Sequence, residues 1–156
     1  MLTTVEKVVF LQNVDIFAEM PTEQLTHLAS IAREVNFLTG DIIYKESDPS
    51  DSLYVIMLGT LELTKDKQKL LDIGAREAIG TWALFENEPR VVTATVKEDV
   101  NTLRIDRDEF FDLLADNSEL SRWLLKSLFG RVKKLQKVVE KINPKANVLP
   151  MDDKLS

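Results

Sequence analysis

The chain has 156 residues, 44% hydrophobic and 29% charged, with a net charge of −6, which suits one ordinary globular domain with a proper core. It lacks cysteine, so disulfides and thiolate metal sites are excluded and a reducing, cytoplasmic setting fits best. The single histidine, His27, excludes mechanisms built on a His pair, and the negative charge argues against nonspecific nucleic-acid binding by the chain as a whole.

The N-terminus carries Glu6 beside Lys7 and shows no signal-peptide pattern. Thr3 or Thr4 is placed to cap a short helix through Leu11, with Glu6 in the first turn where the helix dipole favours an acid. A second helix starts near Pro21 in "MPTEQLTHLASIAREV". Leu25, Leu28, Ala29 and Ala32 fall on one helical face. His27 lies off that stripe and reads as a surface histidine.

The middle changes period. Gly40-Asp41 signals a turn between two β-rich runs, and Gly59 interrupts the apolar stretch "SLYVIMLGTLEL". That stretch holds the longest apolar run, Leu53 to Leu58, far below a membrane span. Lys65-Asp66-Lys67 forms a charged tip, and "VVTATV" and "NTLRI" read as two strands joined around Glu98-Asp99. About seven or eight short strands punctuated by Gly, Pro and Asp predict an all-β sandwich or barrel.

The last part is helical. Asp106 with Glu109 three residues on matches a capping box for a helix through Ala115. Ser118 opens a longer helix to about Ile142, ended by Asn143-Pro144. The domain is therefore expected over residues 1–142, with the final helix at 118–142 and a flexible tail at 143–156. Too few residues follow Ile142 for a helix-turn-helix unit, so no nucleic-acid partner is expected.

The stretch "DIIYKESDPSDSLYVIMLGTLEL" resembles the strand–turn–strand signature of the cyclic-nucleotide-binding domain. "IGTWALFENEPRVVTATVKEDVNTLRIDRDEF" resembles that family's phosphate-binding cassette and the strands after it. The resemblance runs from about Phe10 to about Lys141. It implies a mainly β fold with flanking helices: a double-stranded β-helix, or jelly-roll-like β-roll, with N-terminal helices and two C-terminal helices. The family is that of catabolite-activator-type regulators and protein kinase A regulatory subunits. A cyclic nucleotide such as cAMP or cGMP would lie against the cassette, with the final helix as lid or dimer contact.

The chain departs from the family pattern at several points. Thr81 stands where the cassette usually has a ribose-binding glutamate, Ser47 and Arg76 stand in place of glycines, and Val91 and Val92 replace small residues. The base-contacting hydroxyls of activator-type sensors would fall near Leu135 and Gln136.

A cyclic phosphate needs a cation and several N–H donors. Arg90 offers a planar fork of donors, and a helical turn opening at Gly80 would aim N–H groups around Ala83 and Leu84 at the anion. The backbone N–H groups of Val91 and Val92 are further candidates. The expected ligand contacts are therefore Gly80, Thr81, Trp82, Ala83, Leu84, Arg90, Val91 and Val92, with Leu135 and Gln136 as lid or base contacts. Losing the charged partner at Thr81 weakens binding by about ten- to a hundredfold without forbidding it. The bland alternative pairs Arg90 with Glu86 or Glu88 in a ligand-free member of the fold that serves oligomerisation or docking. Trp82 reads first as core filling, and second as a ring that stacks on a base.

Other chemistries lack their residues. The cluster of Glu46, Asp48 and Asp51 lacks calcium-loop spacing, one His cannot build a cupin metal site, and no Walker loop or nucleophile–base pair is present. No enzyme activity, metal or cofactor is expected. Along the last helix Leu124, Leu128, Val132, Leu135, Val139 and Ile142 form one apolar stripe. Its first half should pack on the roll with Trp123 and Phe129, and residues 132–142 should form a parallel homodimer contact.

Overall fold

The computed structural model describes residues 1–145. The expected tail therefore lies outside the described residues from residue 146 onward. The N-terminal part comprises α1 (Thr4–Leu11), a 3-10 turn (Asp15–Phe17) and α2 (Thr22–Ala29). Six strands follow: β1 (Arg33–Phe37), β2 (Ile42–Tyr44), β3 (Ser52–Lys65), β4 (Gln68–Ile73), β5 (Ala78–Ile79) and β6 (Thr93–Asp106). A 3-10 helix (Thr81–Leu84) lies between β5 and β6. The chain closes with α3 (Arg107–Asp116) and α4 (Ser118–Ile142).

Six strands replace the seven or eight expected, because Gly59 and Glu98-Asp99 are bends within strands and not breaks between them. β3 pairs antiparallel with β6 from Ser52↔Asp106 to Thr64↔Thr93, with register shifts on both sides of Gly59. The shifts divide the pairing into two layers. In the first, β1 and β5 flank the N-terminal half of β3 and the C-terminal half of β6. In the second, β2 and β4 flank the other two halves. This is the mainly antiparallel β-roll with helices at both ends that the resemblance implied.

Burial follows the strand period of two. Leu53 and Val55 on β3, with Leu103 and Ile105 on β6, face a core completed by Leu11, Phe17, Leu25, Phe110 and Leu120 from the helices. Tyr54 and Ile56 face the roll interior with Leu61, Ile73, Ile79 and Val100. The first layer is covered on both faces, which is why β3 begins as an unbroken apolar run.

Several local expectations resolve. Thr3 caps α1, its Oγ1 accepting from the Glu6 N–H at 3.2 Å. Leu25, Leu28 and Ala29 face the core, but α2 stops at Ala29 and Ala32 is buried beyond its end, because Arg33–Phe37 pairs with β6 instead. His27 is half-buried at the last turn of α2. Asp66 and Lys67 both adopt left-handed conformations at the tight β3–β4 turn. Asp106 is the N-cap of α3 but makes no capping bond. Its carboxylate instead accepts from Arg33 and Arg104, each at 2.6 Å, and these charged partners outcompete a backbone N–H. Among the described residues no helix is long and apolar enough to cross a membrane.

Gly59 has φ +96°, and a Cβ there would lie 2.7 Å from Val100 Cγ1 and closer still to the Asp99 carbonyl. Gly59→Ala is therefore expected to lower the unfolding free energy by roughly 2 kcal/mol or more. Gly130, within α4 with open space at its Cβ position, should by contrast gain about 0.5–1 kcal/mol on conversion to alanine. Urea denaturation of the two variants checks both signs.

Candidate functional site

Residues 78–92 run from β5 through the 3-10 helix to a loop that returns beneath β3. Gly80 is left-handed, with φ 81° and ψ 21°. A Cβ on it would lie 2.5 Å from Arg90 Nη1 and 2.7 Å from the Ser52 carbonyl, so the bare glycine makes room for the guanidinium. Leu84 is fully buried in the helix-side core, and the Phe85 ring meets Phe110 of α3 edge-on at 5.7 Å. These two side chains anchor the segment from behind.

The backbone of Arg90 is pinned by the preceding turn: its N–H donates to the Asp48 carbonyl, and its carbonyl accepts from Ser47, both at 2.8 Å. Ser47 has φ 71° and Arg76 φ 73°. Both positions keep the left-handed shape that a glycine would adopt without strain.

The Arg90 side chain is only 5% exposed. Its Nη2 donates to the Ser52 carbonyl at 2.9 Å and to Ser52 Oγ at 3.2 Å. The guanidinium lies 4.0 Å over the Tyr44 ring. Its acidic partner is Asp51, at 3.8 Å, not Glu86 or Glu88. The Asp51 side chain is 64% exposed and reaches Arg104 as well, at 3.7 Å. Arg90 Nε is buried without a hydrogen-bond partner among the described residues. Burial pushes the guanidinium below its ordinary value, against the pull of Tyr44 and Asp51. Burial likewise raises the Tyr44 phenol, against the pull of Arg90. A buried cation is thus held by a carbonyl, a hydroxyl, a ring face and one solvated carboxylate, with its buried Nε–H left over. That is weak compensation for a desolvated charge.

A cavity of about 900 Å³ opens beside it, lined by Gly80, Thr81, Trp82, Ala83, Arg90, Val91 and Val92, together with Tyr44, Leu63, Ile73 and Ile79. Seven of the eight expected contacts meet there. Leu84 does not, because its side chain belongs to the core. The Ala83 N–H is also withdrawn, since it already donates to the Gly80 carbonyl at 2.9 Å. Trp82 does not fill the core: it is 77% exposed.

Leu135 and Gln136 are not brought to this cavity. Leu135 borders a second hollow of about 680 Å³, shared by Ile16, Arg76, Thr81, Trp82, Leu128 and Val132. Gln136 borders neither and donates to Glu140 on its own helix at 3.4 Å. α4 packs against α3 and the Asp15–Phe17 turn and does not lie across the Arg90 cavity.

Sequence reasoning missed Arg107. Its Nη1 donates to the carbonyls of Ser50 (2.8 Å), Glu86 (3.2 Å) and Ala83 (3.4 Å), its Nη2 to Asn87 Oδ1 (3.3 Å), and its backbone N–H to the Asp51 carbonyl (2.8 Å). It ties the Gly80–Val92 segment to the β2–β3 turn. A cation opening a helix after a long strand was its only signal in the sequence. Asp51 was visible there only as part of an acidic cluster, and Ser52 only as the first residue of an apolar run.

The family model described as "Cyclic nucleotide-binding domain" matches residues 34–117. A CRP-like cAMP-activated global transcriptional regulator of Mycobacterium tuberculosis is 28% identical over 124 residues, covering 76% of this chain and 55% of its own length. The chain thus spans about half the length of that curated relative. The N-terminal domain of a transcriptional regulator from Streptomyces coelicolor A3(2) superposes with a TM-score of 0.77 at 28% identity, over 82% of this chain and 95% of that one. The regulatory domain of Toxoplasma gondii PKA, solved with cAMP, shares the fold at a TM-score of 0.67 and 19% identity, over 84% of this chain and 50% of that one.

Because Arg90 is poorly compensated, replacing it with an apolar side chain of similar length should not harm the fold. Arg90→Met is expected to leave the unfolding free energy within about 1 kcal/mol of wild type, or above it. Urea denaturation showing a loss of about 3 kcal/mol or more would make Arg90 a structural residue instead.

Proposed function

The chain belongs to the cyclic nucleotide-binding domain family, and on that basis we propose that it is a non-catalytic sensor of a small cyclic nucleotide, cAMP or cGMP, or of a related phosphate ligand. The observation that carries this reading is the buried Arg90 guanidinium, with Nε unpartnered, beside an open cavity. The cAMP in the name of the Mycobacterium tuberculosis relative supports the same ligand class.

A phosphate diester taken by Arg90 replaces Asp51 as its counter-charge. Asp51 also contacts Arg104, which donates to Asp106 at the start of α3. Ligand occupancy is thereby linked to the start of α3 through charges already in contact. The proposed role involves no bond-breaking, no cofactor and no nucleic acid, and is set in the cytoplasm.

A second reading has its own support. Ser52 and Asp51 already engage Arg90, and Thr81 gives the ribose no carboxylate. On that reading the chain is a ligand-free member of the fold that serves oligomerisation or docking.

Calorimetric titration with cAMP and cGMP separates the two readings. Wild type should bind weakly, Arg90→Gln should not bind, and Thr81→Glu should bind about tenfold or more tightly. At one hundred times its dissociation constant the ligand should add about 2.7 kcal/mol of stability. Silence from both wild type and Thr81→Glu would leave the scaffold reading.

The proposal includes a parallel homodimer through residues 132–142. Leu124 is buried and Trp123 and Leu128 pack on the core, whereas Phe129, Val132, Leu135, Val139 and Ile142 are exposed. Light scattering at tens of micromolar is expected to give a dimer mass for wild type and a monomer mass for the double variant Leu135→Glu, Ile142→Glu.

A further inference from the structure

Trp82 is the exposed aromatic side chain to which the phosphate chemistry gives no role. It is 77% exposed, although an indole is usually largely covered. Its backbone carbonyl accepts from the Phe85 and Glu86 N–H groups at 3.0 and 2.9 Å, whereas its indole N–H makes no hydrogen bond among the described residues. It stands at the rim of the Arg90 cavity. Tyr44 is the other aromatic lining that cavity, and one face of its ring is covered by the Arg90 guanidinium. Leu135 and Gln136, where base contacts were expected, do not border the cavity. Any flat part of a ligand held there must find its partner elsewhere.

We infer that Trp82 is the base-stacking surface of this site, recognising a purine cyclic nucleotide by ring area. The inference rests on the ligand reading above and adds the part of the ligand that reading leaves unassigned. Gly80 lies against Arg90 Nη1, and Trp82 follows two residues later in a 3-10 turn. At about 2 Å of rise per residue, and no more than 3.8 Å between successive Cα atoms, its Cα is within roughly 4–8 Å of Gly80. That is the order of the span from the phosphate of a nucleotide to its base, so one ligand reaches both Arg90 and the indole. Stacking on a bare ring reads π-surface and not hydrogen-bond pattern. The site therefore prefers purines to pyrimidines and separates adenine from guanine poorly.

The test measures affinities of wild type, Trp82→Phe, Trp82→Ala and Arg90→Gln for cAMP, cGMP, cCMP and a base-free methyl riboside 3′,5′-cyclic phosphate. Because Trp82 is exposed, its variants should fold. Trp82→Ala should weaken cAMP and cGMP by roughly five- to a hundredfold. Trp82→Phe should recover most of that loss, and the base-free probe should bind wild type and Trp82→Ala alike. The Trp82 fluorescence of a Trp123→Phe variant should change with cAMP and not with the base-free probe. Unchanged cAMP affinity in Trp82→Ala, with binding still lost in Arg90→Gln, overturns the stacking role and leaves the ligand reading intact. Equal loss for cAMP and the base-free probe also overturns it, making Trp82 a support of the phosphate end. If neither wild type nor Thr81→Glu binds any of the four probes, both readings fall together.

Discussion

The pairing of β3 with β6, bent at Gly59, is the constraint on which the molecule depends. It sets two strand layers at an angle and divides the apolar residues between a helix-side core and a roll interior. It also fixes where Ser52 lies. Ser52 opposes Asp106 at the end of the ladder, so the carbonyl that holds Arg90 and the residue that starts α3 are neighbours by register. Site and helices share a frame before any ligand is considered.

Within that frame Arg90 is an exception to how proteins treat charge. A buried guanidinium normally gathers carboxylates and carbonyls until its donors are filled. Here Gly80 and Tyr44 shape the space around it and Ser52 gives two acceptors, but the carboxylate in reach is solvated and shared with Arg104. Such an arrangement trades stability for readiness to take an anion. The surroundings are correspondingly stiff. Arg107 gathers three carbonyls, and Leu84 and Phe85 root the segment in the core.

Much of this was legible in the chain. Helical spacing around Leu25 and Leu28, turn residues between β-rich runs, and the stripe from Leu124 to Ile142 place helices and roll in order. Gly80 and Arg90 stand out because few roles need a glycine and a cation at that separation. The failures share a physical cause, which is that local pattern does not see distant partners. A glycine that bends a strand looks like one that ends it, so Gly59 was read as a break. The capping motif at Asp106 is locally sound, but Arg33 and Arg104 arrive from other strands and take its carboxylate. Trp82 has the composition of a core residue, and its outward placement depends on Leu84 and Phe85 filling the core behind it. The Ser47 and Arg76 positions show the converse. Tertiary structure holds both in left-handed shapes that their own side chains disfavour.

α4 has a mechanical consequence. It is gripped at its base, where Leu120 and Leu124 are buried, Ser127 donates to the Ile16 carbonyl and Leu128 packs on the core, and it leaves the body before Ile142. At 1.5 Å per residue the part beyond Leu128 is a rod of about 21 Å. A pivot of about 10° at the base sweeps the tip through roughly 4 Å, most of a helical turn. A sub-ångström adjustment among the side chains at the fulcrum is thereby geared up to a displacement that a neighbouring molecule can feel.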